Sequence, residues 1–298
     1  MKIKHIGKLS LLCVLLAAPT ISDGLAQPSL RSSAAWSQTV DAAGKVGTEV
    51  RTSFARFDRD GLFLEQVTFN QDGSVSQRVT NTYNSTGCII ETRIDRTDGK
   101  SQVARTTYIP DKENRVGEAT SYAPDGSIFV QFTYAYNENN DLLEVITSTP
   151  DRSVYSKVVS TYDGNGRLRD TRGYHSVEEV LIVRTAYDYD NQGNQREQIQ
   201  YDGEGNVIAR STFSYNRNGK LIKTISYDQA GRLISETSYV YNAAGNNIEM
   251  VIANQIADLR TKVVYAYDEN GRKIGETKYN KLDIPIDVIR YEYEYYGN

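Results

Sequence analysis

Short segments of alternating apolar and polar residues fill the chain from about residue 50 to its C-terminus. A typical segment, 220–227, is rich in β-branched residues and ends at Tyr227-Asp228, with Gly231 three residues further on. Alternation with a period of two predicts β-strands. Asp or Asn followed three residues later by glycine predicts a tight turn, because Asx side chains cap turns and glycine tolerates positive φ. No segment shows helical periodicity.

The tyrosines that end these segments recur with a fixed period. Tyr189, Tyr215, Tyr241, Tyr267 and Tyr293 are 26 residues apart, and the tyrosines at 201 and 227 divide that period into steps of 12 and 14. A fixed period of this length indicates a repeat architecture. Because strands joined by tight turns are antiparallel neighbours, the repeat predicts an all-β antiparallel meander of about 18 short strands.

The unequal steps predict that the sheet curls. One rim advances two residues per hairpin, and such a stagger closes or coils a sheet into a shell, a barrel-like structure or a spiral. Counting alternate residues assigns Phe213, Ile225 and Tyr227 to one face and Thr212 and Thr224 to the other. The first face is the more aromatic one, so we expect it to point inward.

The N-terminus has the features of a cleaved secretory signal. Lys2, Lys4 and Lys8 form a basic start, residues 9–18 are apolar, and small residues precede position 27. We therefore expect a signal peptide over 1–26, a linker or N-terminal cap over 27–49, and the repeat domain over 50–298. Export to the periplasm, the cell envelope or the extracellular space follows.

Charge and composition exclude several classes of partner and fold. The full chain has a net charge of −4, and loss of 1–26 removes three lysines and one aspartate, which makes it −6. An acidic surface argues against nucleic acid as a partner. No later segment has 18 consecutive apolar residues, so no transmembrane helix is expected in the mature chain. Cys88 is the only cysteine after the signal, so no intramolecular disulfide can form.

Residues suited to catalysis or metal binding are scarce. His175 is the only histidine after the signal, and it occupies a turn position. With Cys88 as the single cysteine, neither a Ser-His-Asp or Cys-His arrangement nor a zinc site is expected. The abundant acids lie at turn positions, and their spacing matches no EF-hand loop. We therefore expect no enzyme activity, no metal site and no cofactor.

Pairs of tyrosines two residues apart are the candidate binding residues. Residues two apart share a face, and each pair ends a strand, so the pairs should line one rim on every second strand, about 9.6 Å apart. They could stack sugar rings or a partner's apolar groups; alternatively, they are core residues whose hydroxyls reach solvent. The pairs are Tyr134/Tyr136, Tyr187/Tyr189, Tyr239/Tyr241, Tyr265/Tyr267 and Tyr291/Tyr293.

Several of the repeats resemble a known family. Residues 162–168 and 227–233 both follow the pattern Tyr-Asp-x-x-Gly-Arg-Leu, and 267–272 follow it until Lys273 replaces the leucine. This pattern resembles the core of the YD, or Rhs, repeat. The resemblance implies a secreted or surface-associated bacterial protein with a spiralling β-sheet; the largest members form a shell around a toxin segment. No segment of this sequence resembles the self-cleaving core of those members, and we expect no toxin domain.

Taken together, these features predict an exported, non-catalytic repeat scaffold of the bacterial cell envelope or extracellular space that binds a protein or glycan partner. Two alternatives are a small relative of the Rhs toxin shells that acts with a separately encoded partner, and an outer-membrane β-barrel. The second requires an apolar band on the outward face, against which charged residues such as Arg210, Glu236 and Lys262 argue.

Overall fold

The computed structural model describes residues 30–41, 44–98, 103–151, 155–175 and 178–296. Within these ranges the chain forms twenty antiparallel strands and no helix, which confirms the all-β prediction with two more strands than expected. No helix in these ranges is long and apolar enough to cross a bilayer. The expected signal peptide, 1–26, lies outside the described residues. The strands are β1 (Leu30–Thr39), β2 (Val50–Phe57), β3 (Phe63–Phe69), β4 (Val75–Tyr83), β5 (Ile89–Arg96), β6 (Arg105–Pro110), β7 (Val116–Tyr122), β8 (Ile128–Tyr136), β9 (Leu142–Ser148), β10 (Tyr155–Tyr162), β11 (Leu168–His175), β12 (Val180–Tyr189), β13 (Gln195–Asp202), β14 (Val207–Tyr215), β15 (Leu221–Asp228), β16 (Leu233–Tyr241), β17 (Asn247–Asn254), β18 (Leu259–Tyr267), β19 (Lys273–Tyr279) and β20 (Pro285–Tyr295).

The twenty strands close into a barrel. Each strand pairs with its neighbours in the chain, and β1 pairs with both β2 and β20. The closing seam runs from Leu30 opposite Tyr295 to Thr39 opposite Asp287. Closure leaves no edge among the described strands, and exposed edges are the places where sheets aggregate. β1 belongs to segment 27–49, for which the sequence suggested a linker or cap; in the structure this strand is a full member of the wall.

The alternation of 12 and 14 residues sets the tilt of the strands. Phe213 pairs with Thr224, which pairs with Thr237. Tyr239 is the residue one 26-residue repeat after Phe213, whereas pairing across two strands leads from Phe213 to Thr237. Each 26-residue repeat therefore shifts the register by two residues. Twenty strands then accumulate a stagger of about 20 residues, which implies a tilt of about 35° and a backbone diameter of about 37 Å. Inward side chains reduce the open width to about 25 Å.

A β-bulge after the turn changes which residues share a face. The register of β14 and β15 shifts next to Tyr215, where Ile222 is an additional residue. Beyond this bulge Phe213 pairs with Thr224, and residues paired across two strands share a face. Ile225 therefore lies on the face opposite Phe213, as do the other odd-numbered residues after the bulge, Lys223 and Tyr227. The assignment from alternate counting was wrong for this strand, because counting passes over the extra residue of a bulge.

Exposure distinguishes the two faces of the wall. Along β8, Gln131, Thr133 and Ala135 are exposed, whereas Phe132 and Tyr134 are half-buried. Side chains converge on the concave side of a closed sheet, so the half-buried set forms the inner face and the exposed set the outer face. The strand-ending tyrosine pairs therefore point inward, as expected.

The barrel is hollow. No described side chain is less than 2% exposed, and the buried apolar residues are few and mostly small. An interior about 25 Å wide is too large for single side chains to fill. Stability therefore depends on the hydrogen-bond ladders, on the turns and on contacts between side chains along the wall. The buried apolar residues are Ala34, Ala35, Val67, Cys88, Ala119 and Val263.

The turns have the predicted chemistry. In the β14–β15 turn, Asn216 Oδ1 accepts hydrogen bonds from the backbone N–H groups of Asn218 and Lys220, both at 3.0 Å. The N–H of Gly219 donates to the carbonyl of Asn216 at 3.0 Å. The φ angles of Gly219, Gly231, Gly245 and Gly271 are 71°, 74°, 83° and 76°, which confirms the prediction of positive φ. Where another residue replaces this glycine it keeps positive φ: Asn114, Asn140 and Asp283.

Replacing Gly231 by valine should lower the free energy of unfolding by about 1 kcal/mol or more. The φ of Gly231 is 74°, and nothing lies within 4 Å of an added Cβ, so the cost is backbone strain alone. Gly164 is the matched control, because its turn position is equally open but its φ is not positive. Urea midpoints of Gly231→Val and Gly164→Val measure the difference; equal midpoints would contradict the turn assignment.

Candidate functional site

All five tyrosine pairs lie at one end of the barrel. Even-numbered strands end at this rim, called here the tyrosine rim, and odd-numbered strands end at the opposite, far rim. Each pair ends an even-numbered strand on the inner face, so the predicted placement on one face and every second strand agrees with the structure. A role in binding stays a prediction. The pairs belong to β8 (Tyr134/Tyr136), β12 (Tyr187/Tyr189), β16 (Tyr239/Tyr241), β18 (Tyr265/Tyr267) and β20 (Tyr291/Tyr293).

The second tyrosine of each pair has a structural role. Its hydroxyl donates to a backbone carbonyl 20 or 21 residues earlier, at the start of the preceding strand. Tyr241 Oη, for example, donates to the carbonyl of Leu221 at 2.7 Å. The accepting residue lies at a bulge, where the ladder is interrupted and a carbonyl needs another donor. The other bonds are Tyr136 to Val116 at 2.9 Å, Tyr189 to Leu168 at 2.7 Å, Tyr267 to Asn247 at 2.7 Å and Tyr293 to Lys273 at 2.7 Å.

Arginines hold some of these rim tyrosines against the turns. The Arg167 guanidinium lies 4.9 Å from the ring centre of Tyr189, and its Nε donates to Asp163 Oδ2 at 2.7 Å. Arg115 lies 4.4 Å from the ring centre of Tyr136. The hydrogen bond from Arg167 lowers the pKa of the Asp163 carboxyl. The turn acid, the arginine and the rim tyrosine thus form one stabilising unit. This unit accounts for the positions of these acids without a bound metal ion.

The first tyrosine of each pair lies deeper and faces the lumen. Tyr134, Tyr187, Tyr239, Tyr265 and Tyr291 occupy one position of the 26-residue repeat. Tyr108 and Phe213 occupy the same position, and register places Tyr108 opposite Ala119 on the inner face. These two rings are not among the pairs predicted from the sequence, although both follow from the period. All seven rings together are called the inner aromatic array, and β12 to β20 carry five of them on consecutive even-numbered strands.

Hydroxyl and amide groups line the inner face beyond this array. Thr106 Oγ1 and Ser121 Oγ are 2.9 Å apart, and Ser211 Oγ and Ser226 Oγ are 3.1 Å apart. Gln198 lies opposite both Tyr187 and Ser211. These side chains are uncharged and can donate as well as accept hydrogen bonds. The lining therefore suits ligands with many hydroxyl or amide groups.

One sector of the inner face carries charge. Lys273 replaces the leucine of other repeats, and its Nζ donates to Glu276 Oε2 at 3.0 Å and to Tyr291 Oη at 3.3 Å. The ammonium lies 4.4 Å from the ring centre of Tyr291 and 5.4 Å from that of Tyr265. Burial, followed by the charge of Glu276, raises the pKa of Tyr291. This tyrosine therefore stays protonated, and the cluster provides a cation, a carboxylate and two rings for contact with a ligand.

The outer face carries ion pairs within a strand and between neighbouring strands. Asp170 is 4% exposed; its Oδ1 lies 2.9 Å from Arg172 Nε, and its Oδ2 contacts Arg184 Nε. Lys223 Nζ lies 2.8 Å from Glu236 Oε1. Charged groups therefore lie at mid-height of the outer face.

The two candidate nucleophilic or basic side chains are far apart. His175 ends β11 at the far rim, and Cys88 follows a turn at the tyrosine rim between β4 and β5. Cys88 is buried, and burial raises the pKa of its thiol, which disfavours the reactive thiolate. Among the described residues, no group of three or more His, Cys, Asp and Glu side chains could hold a metal ion.

Comparison with known proteins gives matches in structure alone. No family model and no curated protein matches the chain. A crystal structure of TcdB2-TccC3 without its hypervariable C-terminal region matches 88% of the chain at 15% identity, with a TM-score of 0.33. The chain spans only 17% of that protein. A porin-like protein from Bacteroides uniformis matches 90% of the chain and 99% of its own length at 9% identity, with a TM-score of 0.39. These similarities assign neither a family nor a function.

Proposed function

We propose that this chain is an exported, non-catalytic scaffold of the bacterial cell envelope or extracellular space that binds a glycan or protein partner inside its lumen. The inner aromatic array, which lies next to a lining of hydroxyl and amide groups inside a hollow barrel, carries this proposal. Export rests on the basic and apolar N-terminus of the sequence. The absence of catalysis rests on the separation of Cys88 from His175 and on carboxylates that turns and ion pairs already use.

The array suits an extended ligand. Rings on consecutive even-numbered strands are about 9.6 Å apart, so a chain molecule that follows the wall meets a ring at regular intervals. Tyrosine combines an apolar ring with a hydroxyl, a combination common at binding surfaces. Weak contacts repeated along one ligand add through effective concentration. The neutral lining imposes no charge requirement over most of the array, and the Lys273 cluster adds a charged anchor at one end.

The width of the lumen limits the class of partner. A folded domain of 100 residues has a radius of gyration of about 13 Å and does not fit an opening about 25 Å wide. An extended polypeptide or polysaccharide does fit. The resemblance to Rhs repeats therefore supports a shell-like role only with a separately encoded, extended partner segment.

The outward face does not favour the outer-membrane alternative. A barrel in a bilayer needs a lipid-facing apolar band. Here the outer face carries Arg184, Arg210 and Glu236 at mid-height, and the inner face is lined by hydroxyl groups. Neither face offers such a band.

Replacing Tyr187 and Tyr239 by serine should weaken binding more than it weakens folding. Both rings lie in the array and point into the lumen, where a ligand would stack on them. Binding of purified envelope polysaccharide and of envelope protein from the source bacterium is measured per folded molecule, alongside the urea midpoint. We expect affinity to fall by about tenfold for each ring lost, because stacking on an aromatic ring contributes about 1–3 kcal/mol.

Tyr241→Phe and Tyr267→Phe are the matched controls. Each removes one hydroxyl bond at the same rim but keeps the ring, so stability should fall by about 1 kcal/mol while binding is retained. Unchanged binding in the serine variants, with a large loss of stability, would show that the array is simply part of the wall and would overturn the proposal.

A further inference from the structure

Exposed apolar side chains are concentrated at the far rim. Ile256 and Leu282 lie within far-rim turns and are 73% and 71% exposed, and Leu259, which begins β18, is 63% exposed. Turns normally carry polar residues, and no local contact explains aliphatic side chains at their tips. Further exposed residues begin other even-numbered strands at this rim: Val180 at 55%, Val207 at 40% and Leu233 at 38%. Together these six residues are called the apolar collar.

The most exposed part of the collar is one continuous patch. The β17–β18 and β19–β20 turns are neighbours, about 9.6 Å apart. Ion pairs hold them together: Lys281 Nζ lies 2.6 Å from Asp258 Oδ2, and Arg260 Nη1 lies 3.0 Å from Asp283 Oδ1. These bridges link the two turns, so Ile256, Leu259 and Leu282 lie on one surface. Exposed apolar patches rimmed by polar groups mark interaction sites.

The charge of the far rim selects the kind of partner. Acidic side chains outnumber basic ones among the described residues of the far-rim turns. In the turns from β11–β12 to β19–β20, which carry or adjoin the collar, five side chains are acidic and two are basic: Glu178, Glu179, Glu204, Asp258 and Asp283, against Arg232 and Lys281. A second copy docked far rim to far rim would bring like charges together, which disfavours that pairing. A partner with basic and apolar side chains is complementary to this rim.

We propose that the apolar collar is a docking surface for a basic, amphipathic segment of another protein. Such a segment covers the aliphatic side chains with its apolar face, while its lysines or arginines approach the surrounding carboxylates. This surface is separate from the lumen, so the scaffold can hold a ligand at one end of the barrel and dock a protein at the other.

Fluorescence anisotropy with a labelled synthetic amphipathic helix of leucine and lysine tests this inference, with a leucine–glutamate helix as the matched probe. The collar variant combines Ile256→Ser, Leu259→Ser and Leu282→Ser. Its control combines Ile222→Ser and Ile274→Ser, which remove exposed side chains at the tyrosine rim. We expect affinity for the leucine–lysine helix to fall by about tenfold or more in the collar variant and by less than about twofold in the control.

Should the triple variant unfold, Ile256→Ser with Leu282→Ser changes only turn residues and takes its place. Equal affinity for the two helices, no binding of the leucine–lysine helix, or a loss equally large in the control would each overturn the inference. A dimer in analytical ultracentrifugation that the collar variant lacks would assign the surface to a second copy of this chain instead.

Discussion

A chain that begins at residue 40 should fail to form a monomeric barrel. It lacks β1, which pairs with both β2 and β20 and contributes the buried Ala34 and Ala35. Without it, two long strands are left with unpaired backbone groups, and open edges of this kind recruit other chains. Size-exclusion chromatography with light scattering should show soluble oligomers or aggregate in place of a monomer-sized species.

The matched control for this truncation begins at residue 29. It removes the expected signal peptide but keeps β1, so it should have the same elution volume and urea midpoint as a chain that begins at residue 27. A monomeric, cooperatively unfolding chain that begins at residue 40 would show that β2 and β20 close the wall without β1. The seam would then add little to stability.

Asp170→Ala should lower the free energy of unfolding by about 1.5–3 kcal/mol, because it removes a buried carboxylate that pairs with two arginines. Asp170 is 4% exposed and pairs with Arg172 on its own strand, β11, and with Arg184 on the neighbouring strand β12. Urea or guanidinium unfolding of the purified variant measures the loss.

Asp188→Ala is the control for this prediction, because the Asp188 side chain is 48% exposed and contacts Arg196 on the same outer face. An exposed pair contributes about 0–1 kcal/mol, so this change should be nearly neutral. Similar losses in the free energy of unfolding of the two variants would indicate that burial does not make the ion pairs of Asp170 more stabilising than exposed ones.

The tyrosine pairs show what could be predicted from the sequence and what could not. Their spacing predicted one face, one rim and alternate strands, because strand alternation and turn position are local properties. It left open whether the rings bind a ligand or belong to the core. The structure divides each pair: Tyr241 donates to the carbonyl of Leu221, whereas Tyr239 faces the lumen without such a bond to the backbone. This division depends on the bulge at the start of the preceding strand, 20 residues away.

The sequence by itself determined the meander, the turns and the stagger that curls the sheet. Each depends on residues close together in the chain: alternation within a strand, an Asx residue with a glycine three positions later, and steps of 12 and 14 residues. The tertiary structure alone decided the closure by β1, the faces of strands such as β15 and the separate roles within each tyrosine pair. Closure joins Leu30 to Tyr295 across almost the whole chain, and a bulge shifts the register by a residue that local alternation cannot distinguish. Local chemistry therefore specifies the repeat unit, while contacts between distant strands specify the barrel and its lumen.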